Sequence, residues 1–531
     1  MSLLTCIVGL PFVAALLLAL VPRNFRVVLR GVAVFATFLS AVLALLMFLK
    51  FQPGAPGYQF ERQVHWVQSL GISYHVGVDG INVGLILMGA LVAFAAACVC
   101  WEIKEREKEF YILLLIMAGG ILGAFASLDL FLFYFFHELA LVPTFIMIGV
   151  WGRGLDKNYA TFQITLYLSL GALLALIGLI VLYLQAGANT FDIPELTRRL
   201  QDPAHRLAPG PQHVIFPLLL FGFGILVSLW PFHSWAPLGY SSAPTATAML
   251  HAGVLKKFGL YGLLRVALPM LPDAAQTWMP ILAWLCLGNL VFCGWVAMRQ
   301  KDLNWLAGYS SVAHMGFVFL GLASLNVIGV TGAVLVMIAH GFLAALAFGL
   351  NGYLYQQTGT LELRELGGLL RRLPFIGTAL LMAALAGCGL PGFANFAGEI
   401  TVLFGAWRAF PAVTVFACWG ALIIGAVYML RAVRAALHGP LPDKWAKVAD
   451  APHLWRKTPF LLLLAALLTF GFSPRLLSDK ILPNVEQSVL HGAVALKAPD
   501  LPSVAAKTAG QAPGLPVHAL SGPVENLASF R

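Results

Sequence analysis

Residues 243–266 read APTATAMLHAGVLKKFGLYGLLRV. The run is apolar and long enough to cross a hydrocarbon core of about 30 Å. Yet Lys256 and Lys257 stand in its middle. A helix facing lipid would not tolerate two ammonium groups at that depth. The stretch therefore reads as a membrane helix enclosed by other membrane helices, and that reading sets the fold class.

The composition agrees. Of 531 residues, 60% are hydrophobic and 11% charged, against about 45–50% apolar and about 25% charged in soluble domains. One soluble core cannot absorb that much apolar surface, which excludes a soluble enzyme and a disordered chain alike. Glycine (52) and proline (30) are frequent, as in membrane helices that break or pack closely. The net charge of +10 comes without any Lys/Arg-rich run. It points to basic loops on one side of a bilayer, with no nucleic-acid partner. The seven cysteines lie in apolar stretches and form no CxxC, which argues against Fe–S, zinc and disulfide frameworks. Neither a GxGxxG nor a Walker loop occurs, so no nucleotide site is expected. Residues 1–21 lack a basic leader and a small-residue cleavage site, and read as a first membrane helix.

Working outward from 243–266, apolar runs of membrane length fall at 2–21, 27–49, 79–101, 110–126, 128–151, 159–185, 214–231, 278–298, 303–323, 327–355, 374–407, 411–430 and 458–473. The expected architecture is all-α and polytopic, with about fourteen spans. Gly389-Leu390-Pro391-Gly392 interrupts the 374–407 run, so a helix broken at membrane depth is expected there. One set of alternate loops carries 19 Lys and Arg and the other set 6, which places both termini outside. The transmembrane domain is taken as 1–473. Broken helices in both halves point to inverted repeats at about 110–266 and 278–430, although no strong internal sequence repeat is visible. Residues 186–212 read as an outer loop with a short amphipathic piece. Residues 474–531 read as a mostly disordered outer tail.

Ionisable groups inside a membrane mark ion paths by default. Glu138 lies in Phe135-Phe136-His137-Glu138-Leu139, within the fifth run. Pro143, further along, cannot donate to the carbonyl of Leu139 and leaves a defect that water could enter. His251, Lys256 and Lys257 share the eighth run, His314 lies in the tenth, His340 in the eleventh, and Glu399 follows the broken turn of the twelfth. A histidine suits a proton relay because it titrates near neutral pH. The competing readings are a hydrogen-bonded structural glutamic acid, one snorkelling lysine and satisfied core histidines. The order is acid, lysine, two histidines, acid. That order suits stepwise proton transfer, and no nucleophile stands beside a base as hydrolysis would need.

Several stretches together resemble a known family. They are Pro231-Phe232-His233-Ser234-Trp235-Ala236-Pro237 with Ala252-Gly253-Val254-Leu255-Lys256-Lys257, and Glu138 with Trp151-Gly152. They also include Gly308-Tyr309-Ser310-Ser311-Val312-Ala313-His314 and Gly389-Leu390-Pro391-Gly392-Phe393-Ala394-Asn395 up to Glu399. Over residues 75–430 the chain resembles the antiporter-like membrane subunits of proton-pumping NADH:quinone oxidoreductase, respiratory complex I, most of all its subunit M branch (mitochondrial subunit 4). The resemblance implies a proton path through Glu138, Lys257, His340 and Glu399, driven by quinone reduction elsewhere in the complex. It implies that NADH, flavin, Fe–S and quinone belong to partner subunits, with no cofactor in this chain. It also implies that the partners are other membrane-arm subunits in a bacterial inner membrane. A multi-subunit cation/proton antiporter, an inorganic-carbon transporter and an ion-pumping membrane hydrogenase share the expected fold and stand as alternatives.

Two positions depart from the family pattern. The lysine expected five residues before Pro231 is Leu226, and the lysine expected four before Tyr167 is Gln163. Glu138 thus lacks its usual cation. Its coupling is expected to weaken unless His137, His251 or Lys256 substitutes.

Overall fold

The computed structural model describes residues 2–489. Twelve of its helices are long and apolar enough to cross a membrane. The two remaining stretches marked by the sequence are built from shorter pieces. Residues 374–407 divide into Pro374–Gly387 and Ala394–Ala409. Residues 243–266 alternate α turns with wide π turns at His251–Leu255 and Leu263–Ala267. A further break follows Pro209–Val227, after which Trp235–Ser242 resumes as a short helix.

Local chemistry starts and stops these elements. Asp129 Oδ1 accepts from Phe131 N at 2.9 Å and Leu132 N at 3.1 Å, opening the helix Leu130–Trp151. Asp302 Oδ1 does the same for Asn304 N at 2.7 Å and Trp305 N at 3.1 Å, opening Leu303–Ala323. Such caps satisfy amides that have no partner inside the helix.

Val327–Thr358 is the central pillar and is buried along almost its whole length. It packs against Leu303–Ala323, Ala394–Ala409, Leu454–Phe472 and Asn82–Cys98. Lys157–Ala186 lies at the periphery. It exposes Phe162, Leu166, Leu170, Leu173 and Ile177, spaced three or four residues apart, which is the stripe a lipid-facing helix needs. Its other face meets Pro209–Val227 backbone to backbone. A Cβ on Gly222 would sit 2.5 Å from Ala175 N, so only glycine permits this approach.

The same backbone details recur in two places. Leu130 N donates to Phe191 O and Ile193 N to Leu128 O; likewise Leu303 N donates to Leu361 O and Leu363 N to Lys301 O. The helix ending at Val227 turns with Ser228 at φ 71° and bonds from Ser228 N to Ile225 O and Leu229 N to Gly224 O. The helix ending at Gly387 turns with Gly389 at φ 68° and bonds from Gly389 N to Ala386 O and Leu390 N to Leu385 O. Each break is a helix terminus whose last carbonyls are satisfied by a left-handed residue.

The all-α bundle carries one addition, and one expectation needs correction. β1 (Gln59–Val67) and β2 (Ile72–Val78) form an antiparallel hairpin beside the helices. Alternation in Ile72-Ser73-Tyr74-His75-Val76 was its signal, and the polar residues of β1 masked it. The expectation to correct is the segment after 473, which is not shapeless at its start. Arg475–Asn484 is a helix that packs on Val327–Thr358, and Asn484 Oδ1 accepts from Gly80 N at 2.9 Å. The rest of the expected tail, 490–531, lies outside the described residues. The amphipathic piece in the 186–212 loop is Ile193–Gln201, with Leu196 and Leu200 buried.

The hairpin docks on that piece through one histidine. His75 Nδ1 donates to Asp192 Oδ2, and His75 Nε2 donates to Glu61 Oε1 at 2.8 Å. Burial works against a charge here, but the two carboxylates outweigh it and hold His75 above the usual histidine value. A raised pKa means the contact contributes fully at low pH and is lost as pH rises through the raised value. Hairpin amides should therefore be best protected in hydrogen exchange below about pH 6.5 and lose protection above it. His75→Gln should remove the pH dependence; unchanged protection from acid to alkaline pH would refute the role.

Candidate functional site

The wide turn at His251–Leu255 carries Lys257 into the centre of the bundle, where its side chain is 0% exposed. Lys256 N reaches back five residues to His251 O at 3.0 Å. Lys257 Nζ donates to Ala252 O at 2.6 Å and to His340 Nδ1 at 2.8 Å. Such π turns insert one residue per turn and re-aim side chains, which is why they collect at functional sites. Lys256 points elsewhere: its Nζ donates to Ser311 O and Oγ, both at 3.3 Å, and lies 5.6 Å from the Tyr240 ring centre. Both lysines are buried, so neither snorkels.

From His340 the polar series continues. The rings of His340 and His314 lie 5.5 Å apart, centre to centre. His314 Nδ1 donates to Ser310 O at 2.7 Å, which leaves Nε2 as the acceptor nitrogen. That Nε2 is 3.7 Å from Glu399 Oε1. Lys257, His340, His314 and Glu399 therefore form one buried line across the helices 245–270, Val327–Thr358, Leu303–Ala323 and Ala394–Ala409. A cavity of about 50 Å³ touches both histidines and runs past Ser310 and Ser311 to Leu303 and Asn351. At about 10–15 Å³ per water it has room for about three to five. It leads toward the end of the bundle that carries Lys301 and Arg153.

The break at Gly389 belongs to this site. A Cβ there would stand 2.7 Å from Glu399 Oε2, and its φ of 68° is one that glycine adopts freely. The two breaks differ in how their polar groups are satisfied. Asn289 clamps the first: it accepts from Trp230 N at 2.9 Å and donates to Ser228 O at 2.9 Å. At the second, both polar atoms of Asn395 and Glu399 Oε1 have no hydrogen-bond partner among the described residues. Buried polar atoms seldom remain so, and water is the usual partner.

Two expected residues stand apart from this line. His251 is buried between the rings of Trp235 at 5.5 Å and Tyr240 at 5.4 Å. Glu138 was expected to be buried near mid-helix. Its side chain is instead 34% exposed, at the face of the chain, with His137 Nδ1 3.6 Å away. Neighbours on a helix point about 100° apart, so the turn that buries His137 sends Glu138 outward. Leu226 is buried, and Gln163 donates to Ser234 Oγ at 3.4 Å.

One buried ion pair escaped the sequence reading. Arg265 Nη1 and Nη2 donate to Asp79 Oδ2 and Oδ1, both at 2.7 Å. Arg265 Nε donates to Tyr261 Oη at 3.2 Å. Asp79 Oδ1 also accepts from Ile81 N at 3.0 Å, at the start of Asn82–Cys98. The available signal was Asp79-Gly80 directly before an apolar run, a capping pattern.

Comparison with known proteins follows the same line. A family model described as NADH:quinone oxidoreductase/Mrp antiporter, TM, matches residues 127–425. The chain is 34% identical over 519 residues to NADH-quinone oxidoreductase subunit M of Rhodobacter capsulatus, covering 96% of this chain and 99% of that one. It is 35% identical over 494 residues to the F(420)H(2) dehydrogenase subunit M of Methanosarcina mazei, covering 90% and 98%. Among solved structures it is similar to a chain of respiratory complex I from Thermus thermophilus with bound NADH. That match has a TM-score of 0.83 and 29% identity, covering 93% of this chain and 100% of that chain.

Removing one member of a buried pair leaves the other charge uncompensated, at a cost of about 3–5 kcal/mol. Arg265→Met should lower the thermal unfolding temperature in detergent more than the double change Asp79→Leu with Arg265→Met. A double variant less stable than the single one would show that the pair is not the reason.

Proposed function

The chain belongs to the NADH:quinone oxidoreductase/Mrp antiporter family of membrane subunits, and from that premise we propose that it is a membrane-arm subunit of a proton-pumping NADH:quinone oxidoreductase. It moves protons across the bilayer while quinone is reduced elsewhere in the complex. The observation that carries this reading is the buried line Lys257–His340–His314–Glu399 beside a cavity large enough for water.

Each contact has a distinct task. The cavity delivers a proton from the Leu303 and Asn351 end to the histidine pair. His340 accepts a proton from the Lys257 ammonium at Nδ1 as its Nε2–H is released toward the cavity, and an arriving proton reverses the exchange by binding Nε2 while the Nδ1 proton returns to the lysine amine. His314 Nε2 exchanges with Glu399. Each arrival changes the charge beside the next group and so its hold on its own proton. NADH, flavin, Fe–S and quinone are held by partner subunits, and this chain carries out no redox step. The excess of Lys and Arg in one set of loops supports both termini outside, and the bacterial relative favours a bacterial cytoplasmic membrane.

The test uses the assembled complex in sealed membrane vesicles energised by NADH. Lys257→Ala and Glu399→Gln should each lower coupled proton movement at least tenfold without loss of assembly. Full proton movement in either variant overturns the role of that residue. Mass spectrometry of the purified complex tests the partners: NADH-binding and Fe–S subunits support the reading, and small antiporter subunits alone overturn its redox half.

A further inference from the structure

We propose that His137 is a proton-carrying residue that joins Glu138 to the central lysines through His251. The inference rests on the proton-pumping reading above and gives His137, one of the possible substitutes for the missing cation of Glu138, a specific role in proton transfer.

Glu138 is an intramembrane acid that stands apart from the buried line. Among the described residues, the basic group within ion-pair distance of it is His137, with Nδ1 3.6 Å from Oε1. That separation exceeds a hydrogen bond, as relay contacts often do at rest. No lysine or arginine from Pro209–Val227 comes to its aid, since Phe221–Val227 is apolar throughout.

His137 itself is 1% exposed, and its ring stacks on Phe258 at 3.9 Å. Phe258 directly follows Lys257 in the chain. If stacking were the whole role, a phenylalanine would fill it. A histidine leaves Nδ1 buried without a hydrogen-bond partner among the described residues, and such an atom is costly to leave unpaired. The next polar atoms inward share this condition. His251 Nδ1, Tyr240 Oη and Thr247 Oγ1 are buried and unpartnered among the described residues. The helix Leu130–Trp151 packs against the π turn that bears His251, and His251 lies within electrostatic range of His137, Lys256 and Lys257. Tyr240 stands between His251 and Lys256, with its ring 5.4 Å from one and 5.6 Å from the other. Unpaired polar atoms on the elements that carry the acid and the lysine pair are what a short internal water chain would satisfy.

The step balances as proton exchange alone. The carboxyl O–H of Glu138 breaks as N–H forms on His137 Nδ1. The imidazolium then releases the proton from Nε2 toward His251, and a later proton from either side restores the first tautomer. No electron moves.

The test compares two substitutions in the assembled complex, with proton movement measured in vesicles and assembly checked by native electrophoresis. His137→Phe keeps the stack on Phe258 and removes the exchangeable protons. His137→Lys breaks the stack and keeps a base. Phe should lower coupled proton movement at least tenfold, while Lys retains the larger part of it. Any result in which Phe equals or exceeds Lys overturns the proposal, because the ring would then matter as packing or not at all. If the Phe variant fails to assemble, His137→Gln takes its place in the same comparison. Lys257→Ala serves as the control: if it also leaves pumping intact, the general reading fails rather than this one.

Discussion

The contact between Lys257 Nζ and His340 Nδ1 at 2.8 Å is the constraint around which this bundle is arranged. An ammonium group with no exposed surface must find its partners within the protein. Ala252 O and His340 are those partners, and each makes a demand on the fold. The first requires the helix to widen into a π turn. The second requires Val327–Thr358 to run through the centre, packed on every side. The enclosing helices follow from that demand, because lipid on any face of the pillar would expose the pair.

Broken helices are the second consequence. Where water cannot reach, an interrupted helix must satisfy its free backbone groups by its own means. Both breaks use a left-handed residue and the same pair of turn bonds, but they are finished differently. Asn289 closes the break at Ser228 with side-chain hydrogen bonds. The break at Gly389 leaves Asn395 and Glu399 with unpaired polar atoms, next to a histidine that can accept a proton. The first break is thus closed by side-chain hydrogen bonds, while the second leaves buried polar atoms unpaired among the described residues. The same local backbone is finished by a side-chain clamp in one half and by unpaired buried polar groups in the other.

The end of the bundle away from Lys301 and Arg153 is tied down by charge. The Asp79–Arg265 pair links the start of Asn82–Cys98 to the helical stretch 245–270 that also bears Lys257. His75 links the hairpin to Asp192 and so to Ile193–Gln201. The helix Arg475–Asn484 lies on Gly80, beside Asp79. These contacts fasten the second end of the lysine-bearing stretch, which keeps Lys257 in register with His340.

The sequence by itself determined that this is a bundle of membrane helices, that residues 243–266 must be enclosed, and that 374–407 must break. It also picked out Lys257, His340, His314 and Glu399. These readings were available because apolar length and a misplaced charge are properties of a single segment, and the penalty for burying charge in lipid is large. The tertiary structure alone decided which charges meet. Lys256 and Lys257 are neighbours in sequence, yet one reaches Ser311 and the other His340, because a π turn changes the direction of each side chain. Glu138 looked as buried as Glu399 in sequence, but the rotation of its helix turns it outward and His137 inward. Asp79 and Arg265 are ordinary polar residues until the fold brings together positions far apart in the chain. The hairpin and the helix Arg475–Asn484 were missed for the same reason: weakly apolar segments acquire their structure from the surfaces on which they dock.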